Sequence, residues 1–279
     1  MQVMIRYRLL ILFLLLFTFP IMAGAWSSRE HNAIAIIAER NLTPSAKAKV
    51  SEIIGGRSLM YYANWLDTYR KQMPVWYVGD SGELEKHSIP HIFYADDDLK
   101  VSADLQKGAV YHLDGAIRNL KNLETISDSL ALVSMQYVIH LVGDIHCPCH
   151  IKYADRRDWG TDLSGSKGLG LFDLYFNGEL QNGHWLWDKG LQDSAFPGDV
   201  EALVEAISID DKTYIREIQN GNPIDWAQEC AIRSQHVWDG LGSGSAIGDG
   251  YVEKYKALSQ EMLMKAGYRL AAVLNFLFK

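Results

Sequence analysis

The chain lacks the positive charge that a nucleic-acid binder ordinarily carries. Its 27 Lys and Arg stand against 34 Asp and Glu, a net −7 over 279 residues, which excludes the usual binder with a cationic surface. Cysteine is scarce, and three residues cannot build a disulfide scaffold. Long apolar runs are missing too: Leu9 to Phe19 falls short of the roughly 20 residues that cross a bilayer. No internal repeat is visible, and no linker separates two cores. What is present is 48% hydrophobic and 22% charged, enough to bury a sizeable core. Nine His and eight Trp stand out, because both types are uncommon in ordinary globular chains.

The first 25 residues read as a secretory signal. Arg6 and Arg8 make a short basic start, Leu9 to Phe19 the apolar stretch, and Ala23-Gly24-Ala25 a small-residue cleavage site. No Cys follows the stretch, which argues against a lipoprotein. The expected product begins at Trp26, is exported (secreted or periplasmic), and keeps no stable membrane association; an uncleaved anchor is the rival reading. Loss of Arg6 and Arg8 makes it more acidic still.

Residues 26–279 read as one mainly α domain with a small irregular or hairpin insertion around 152–183. Ser27 to Glu30 forms an S-x-x-E capping box opening a helix through Arg40. Thr43-Pro44 is a cap followed by Pro at the first helical position, and Gly55-Gly56 closes that helix. Helical patterns follow over 59–73 and 107–123, then from Ser127 a strongly apolar helix running until Pro148. Asn177-Gly178 after Leu171 to Phe176 signals a hairpin. Helices resume near 184, 199, 211 and 223. After a flexible run from Gly240 to Gly250, a last amphipathic helix carries Tyr251, Tyr255, Leu258, Met262, Leu270 and Leu274.

The histidines carry the chemistry. His140 and Asp144 are four apart, hence on one helical face, and His184 and Asp188 repeat the spacing. One such pair is commonplace as a buried His bonded to an acid. Two pairs in an exported chain, with His150 just beyond Pro148, point to zinc, which takes N and O ligands at about 2.0–2.2 Å. Asp67 and Arg70 share a helical side, and alone they read as a surface ion pair. His91, in the extended Ile89-Pro90-His91-Ile92-Phe93-Tyr94, reads by default as a structural His. A processed N-terminus at Trp26 offers an amine and a carbonyl able to chelate a metal, with His31 close behind, but spacing alone does not put them on one.

Taken in order, Trp26, His31, Asp67, His91, the block His140 to His150 and the pair His184 and Asp188 resemble the zinc-dependent type I single-strand nucleases, the S1/P1 family. Ala266 to Asn275 resembles that family's closing helix. The resemblance covers the whole mature chain and implies a helical phospholipase C/nuclease-type fold with three zinc ions. It implies that Asp67, His91, His140 and Asp144 bind one zinc. Trp26, His31 and a bridging Asp144 bind its neighbour, and His150, His184 and Asp188 the third. Asp67, Arg70 and Asp144 then count as catalytic, with Arg70 meeting charge on phosphate. The implied substrates are single-stranded DNA and RNA, cut to 5′-phosphorylated products by water activated at paired metals, with 3′-nucleotidase activity as an extension. No protein partner is implied.

Several positions depart from the family. An aromatic and then an acidic or amide base reader commonly follow His91, where this chain has Ile92 and Tyr94, so Phe93 or Tyr94 would have to stack a base. Cys147 and Cys149 replace the usual Gln and Leu. Separated by one residue, they are poorly spaced to pair with each other. One could pair with Cys230, or both could join His150 in a Cys/His zinc site that lacks a second ligand pair. His87, His112, His146 and His236 read as structural or surface residues, and Asn41-Leu42-Thr43 as a glycosylation sequon in a eukaryotic source. A zinc-dependent phospholipase C and a non-catalytic exported zinc-binding protein remain alternatives.

Overall fold

A computed structural model describes residues 26–69, 75–78, 83–86, 91–104, 108–154 and 169–279. The proposed signal segment and Arg70 lie outside the described residues. The fold is mainly α. Helix α1 (Ser28–Arg40) starts at Ser27, but the expected capping box closes differently. The Ser27 hydroxyl donates to the buried Glu30 carboxylate, while the Ser27 N–H donates to the Asp188 carbonyl at 2.8 Å. The cap therefore ties the chain start to a distant segment. Helix α2 (Pro44–Ile53) opens as expected, with the Thr43 hydroxyl accepting from Ala46 N–H.

The helix expected over 59–73 is broken. Two short helices, α3 (Leu59–Tyr62) and α4 (Trp65–Tyr69), flank Ala63 and Asn64, and residues 70–73 lie outside the described set. The break has a cause: the Ala63 carbonyl meets the His140 ring instead of continuing the helix. Strands β1 (Val75–Val78) and β2 (Glu83–Lys86) pair antiparallel. Strand β3 (Phe93–Ala95) carries the chain inward beside His91.

Helix α5 (Ala109–Lys121) packs on α6 (Asp128–Asp144), whose cap Ser127 accepts from Leu130 N–H. Helix α6 ends before Pro148, which opens a 3-10 turn at Pro148–His150 leading to β4 (Ile151–Tyr153), parallel to β3. Beyond it, β5 (Asp173–Phe176) and β6 (Glu179–Asn182) form the expected hairpin. Asn177 at φ 50° and Gly178 at φ 86° supply its two-residue turn.

Helix α7 (Gly183–Trp185) runs through a π-helical turn, Leu186–Gly190, into α8 (Leu191–Ala195). Helices α9 (Val200–Ile207), α10 (Lys212–Ile218) and α11 (Pro223–Ser234) follow. The run Gly240 to Gly250, expected to be flexible, contains β7 (Ser245–Ile247), which adds to β5 in parallel. The 29-residue α12 (Asp249–Leu277) lies against α1, α6 and α8. It approaches α1 so closely that a Cβ on Gly267 would come within 2.8 Å of Ile37. One continuous hydrophobic core runs from Trp26 to Phe278, with the polar cluster described below buried at its heart.

Candidate metal centre

Helices α1, α4, α6 and α7, the Pro148–His150 turn, the π-helical turn and the residues before α1 and β3 deliver the expected ligand residues to one place. The hub is Asp144, the last residue of α6, fully buried. Its Oδ1 lies 3.3 Å from His31 Nε2 of α1 and 3.8 Å from His150 Nδ1, and its Oδ2 lies 3.2 Å from His140 Nε2. From α4, Asp67 approaches His140 Nε2 at 3.9 Å and His91 Nδ1 at 4.0 Å. At the other end His150 Nε2 lies 3.9 Å from Asp188 Oδ1, and His184 Nε2 lies 3.5 Å from Asp188 Oδ2. The His31 and His140 rings stack 4.2 Å apart, and those of His150 and His184 5.2 Å apart. Trp26 is buried and donates its indole N–H to the Gly143 carbonyl at 3.1 Å, next to Asp144. All nine positions therefore converge.

Backbone carbonyls orient two of the imidazoles. His140 Nδ1 meets the Ala63 carbonyl and His184 Nδ1 the Leu169 carbonyl, each at 2.7 Å. A carbonyl only accepts, so each Nδ1 carries a proton, and each Nε2 is turned toward the carboxylates. Gly143 keeps the α6 face open to α1, since a Cβ there would sit 2.9 Å from the His31 ring.

This arrangement is unbalanced by itself. Both nitrogens of His31, Nε2 of His140, both oxygens of Asp144 and both nitrogens of His150 are buried without a hydrogen bond of proper geometry. Each such group costs about 1–3 kcal/mol. Burial holds His31 below the ordinary histidine value, with His140 pushing the same way, and burial holds His150 well below it. Burial also acts against His140, yet Asp144 and Asp67 outweigh it and raise that ring to about 9. Asp144 is depressed, because His140 and His150 overcome its burial. Asp188 is pushed well above the carboxylate range by burial, against a hydrogen bond from the Cys149 thiol. Ring nitrogens and carboxylate oxygens facing one another across 3–4 Å suit a divalent cation, which would displace the protons between them. Among the described residues, two groups can hold one: His31, His140 and Asp144; and Cys147, Cys149, His150 and Asp188.

The expected base contacts come out unevenly. Ile92 and Phe93 are buried, whereas Tyr94 is half-buried with the Lys152 ammonium 5.8 Å from its ring centroid. The orienting carbonyls of Ala63 and Leu169 left no trace in the sequence, because a backbone acceptor has no residue type. Cys147 and Cys149 were visible only as alternatives; the fourth donor that completes their set, Asp188, comes from 39 residues away. No disulfide forms, and all three cysteines are free and buried.

The model of the S1/P1 nuclease family matches residues 26–279. Nuclease S1 of Aspergillus oryzae is 28% identical over 280 residues, covering 90% of this chain and 91% of that protein. Endonuclease 2 of Arabidopsis thaliana is 24% identical over 287 residues, covering 95% and 94%. Nuclease P1 of Penicillium citrinum is 23% identical over 287 residues, covering 90% and 97%. With a match from Trp26 to the last residue, and a converging set of His and Asp at its centre, the chain belongs to the S1/P1 nuclease family, hydrolases of phosphodiester bonds.

Proposed function

We propose that this protein is an exported zinc-dependent endonuclease that cuts single-stranded DNA and RNA to 5′-phosphorylated products and binds three zinc ions. The observation that carries the reading is the buried, hydrogen-bond-starved group of His31, His140, Asp144 and His150 in a chain of this family. Asp67, His91, His140 and Asp144 would hold one ion, and His31, Asp144 and the amine and carbonyl of Trp26 a second. His150, His184 and Asp188 would hold the third. The amine of Trp26 exists only after removal of residues 1–25, so the ligand set and export depend on one cleavage. The family match beginning at Trp26 supports that reading. Among the described residues, no helix is long and apolar enough to cross a membrane.

When bound, zinc supplies Lewis acidity toward phosphoryl oxygens and lowers the pKa of water toward about 7. The chain's own residues do the rest. Asp144 offers one oxygen toward His31 and the other toward His140, so a single carboxylate can serve two neighbouring ions. The Ala63 and Leu169 carbonyls fix the tautomers of His140 and His184. Arg70, on the stretch after α4, would meet negative charge developing on phosphate. Tyr94, half-buried three residues after His91, is the remaining stacking candidate, and a base must be unpaired to reach such a ring, which favours single strands.

The test is hydrolysis by the purified metal-loaded protein of single-stranded DNA, RNA, duplex DNA and phosphatidylcholine, with and without chelator. Chelator-sensitive cleavage of the single strands to 5′-phosphate ends is expected. Release of phosphocholine instead, or no turnover with zinc fully bound, would overturn the reading in favour of a lipase or a zinc-binding protein.

A further inference from the structure

Where helix α6 ends, the segment Cys147-Pro148-Cys149-His150 folds back on itself. Cys147 N–H donates to the Asp144 carbonyl at 3.0 Å, and His150 N–H donates to the Cys147 carbonyl at 3.0 Å. Both thiols are fully buried and point the same way, with their sulfurs 3.2 Å apart. They point at Asp188: its Oδ1 lies 3.0 Å from Cys149 Sγ, 3.9 Å from Cys147 Sγ and 3.9 Å from His150 Nε2. All four donors lie within 4.8 Å of one another. A tetrahedral zinc with bonds of roughly 2.0–2.3 Å holds its ligand atoms roughly 3.3–3.8 Å apart, close to this spread. An independent feature points into the same space: the fully buried His150 makes no ring hydrogen bond at either nitrogen.

We propose that Cys147 and Cys149 are metal ligands, so that the ion between His150 and Asp188 is held by two sulfurs, one imidazole and one carboxylate. This rests on the reading above that a metal occupies that end of the cluster. On binding, each S–H bond breaks as a metal–sulfur bond forms, and the thiol protons, with any proton on the Asp188 carboxyl, leave to solvent. Two thiolates and a carboxylate then face the ion, a softer and more anionic set than imidazoles and carboxylate alone. The site should select zinc or cadmium over magnesium or manganese. In this set the two thiolates take the place given to His184 above, and His184, facing the other oxygen of Asp188 at 3.5 Å, orients that carboxylate from the far side. The Asp67–His31 end has no sulfur, which makes the two ends of one cluster chemically distinguishable.

The experiment is cobalt substitution of the whole protein under reducing conditions, for the wild type and for the double variant Cys147→Ser, Cys149→Ser. The wild type should show a sulfur-to-cobalt charge-transfer band beside the visible d–d bands. The double variant should lose the first, keep d–d bands from the N/O end, and retain its circular dichroism spectrum. Wild-type d–d bands without the charge-transfer band would overturn the proposal while leaving the rest of the cluster standing. A wild-type mass two hydrogens short, with no thiol reactive in denaturant beyond Cys230, would replace it with a Cys147–Cys149 disulfide. Absence of any cobalt spectrum would overturn the metal reading of the cluster and this proposal together.

Discussion

Replacing Asp144 with Asn removes one charge while preserving the side chain's shape. In the metal-free protein Asp144 is depressed and His140 raised to about 9, so the two form a buried ion pair at pH 7, 3.2 Å apart. At about 4 Å and an effective dielectric of about 20, such a pair is worth about 4 kcal/mol before desolvation. Removing one partner of a buried pair costs about 3–5 kcal/mol, because the other charge is left alone. The Asn amide also turns a donor toward a group of imidazoles that the carboxylate met with two acceptors. Metal-free Asp144→Asn should therefore melt well below the metal-free wild type.

With metal the effect on turnover should be larger, because the same carboxylate faces both His31 and His140 and, in the proposed ligand set, would serve two ions. At least two orders of magnitude in kcat/KM should go, equivalent to about 2.7 kcal/mol of barrier. The assay pairs cleavage of a single-stranded oligonucleotide with zinc per chain, on protein whose circular dichroism matches the wild type. Zinc content should fall by at least one ion. Full turnover with an undiminished metal content would refute the bridging role.

Arg70→Ala should lower turnover at least about tenfold with zinc content unchanged; a parallel loss of zinc would make it a structural partner of Asp67 instead. A protein carrying Gly-Ser before Trp26 should fold and keep the metal at His150 and Asp188 but be nearly inactive, since an amide nitrogen is a poor ligand. Equal activity and zinc in the extended and trimmed forms would remove the terminal ligand from the set. Burial of Glu229 works against its ionisation, but Lys265 and Arg269 outweigh that and hold the carboxyl down at about 2. A depressed carboxylate stabilises the fold above its unfolded value near 4.5, and that stability is lost as pH falls from there through 2. The wild type should exceed Glu229→Gln by about 1–2 kcal/mol at pH 7, after allowance for solvent screening of a half-exposed group, and by nothing near pH 2. A pH-independent difference in denaturant melts would show that the ion pairs contribute nothing.

Local signals were legible in the sequence. Thr43 before Pro44, Ser127 before α6 and Asn177-Gly178 each act through the nearest few backbone groups, and each appears where the spacing puts it. The pairs His140–Asp144 and His184–Asp188 were equally visible, because helical geometry alone brings them together. What stayed hidden was set by partners distant in sequence. The break at Ala63 exists because a carbonyl serves His140, 77 residues on. The Gly-rich run near 245 looks flexible until β5 is present to pair with it. The Ser27 capping box gives its backbone N–H to Asp188, 161 positions away, a bond no local pattern encodes. Asp67 and His91 could be placed at the site only through the family resemblance, since each alone fits a bland structural role.

The net charge of −7 and the assignment to a nuclease family look opposed, and the cluster resolves the opposition. A polyanion is repelled by an acidic surface at long range, but that repulsion is screened beyond about 8–10 Å at physiological salt. Attraction need act only where the reacting phosphate sits. The buried donors of α1, α4, α6, the Pro148–His150 turn and the turn after α7 provide one such place, once cations occupy it. The same cations relieve the unbonded nitrogens and oxygens that folding has buried there. Because the donors come from separate elements, a metal that satisfied them would also tie those elements together, so folding and phosphate capture would draw on the same binding free energy. The surface can then stay acidic.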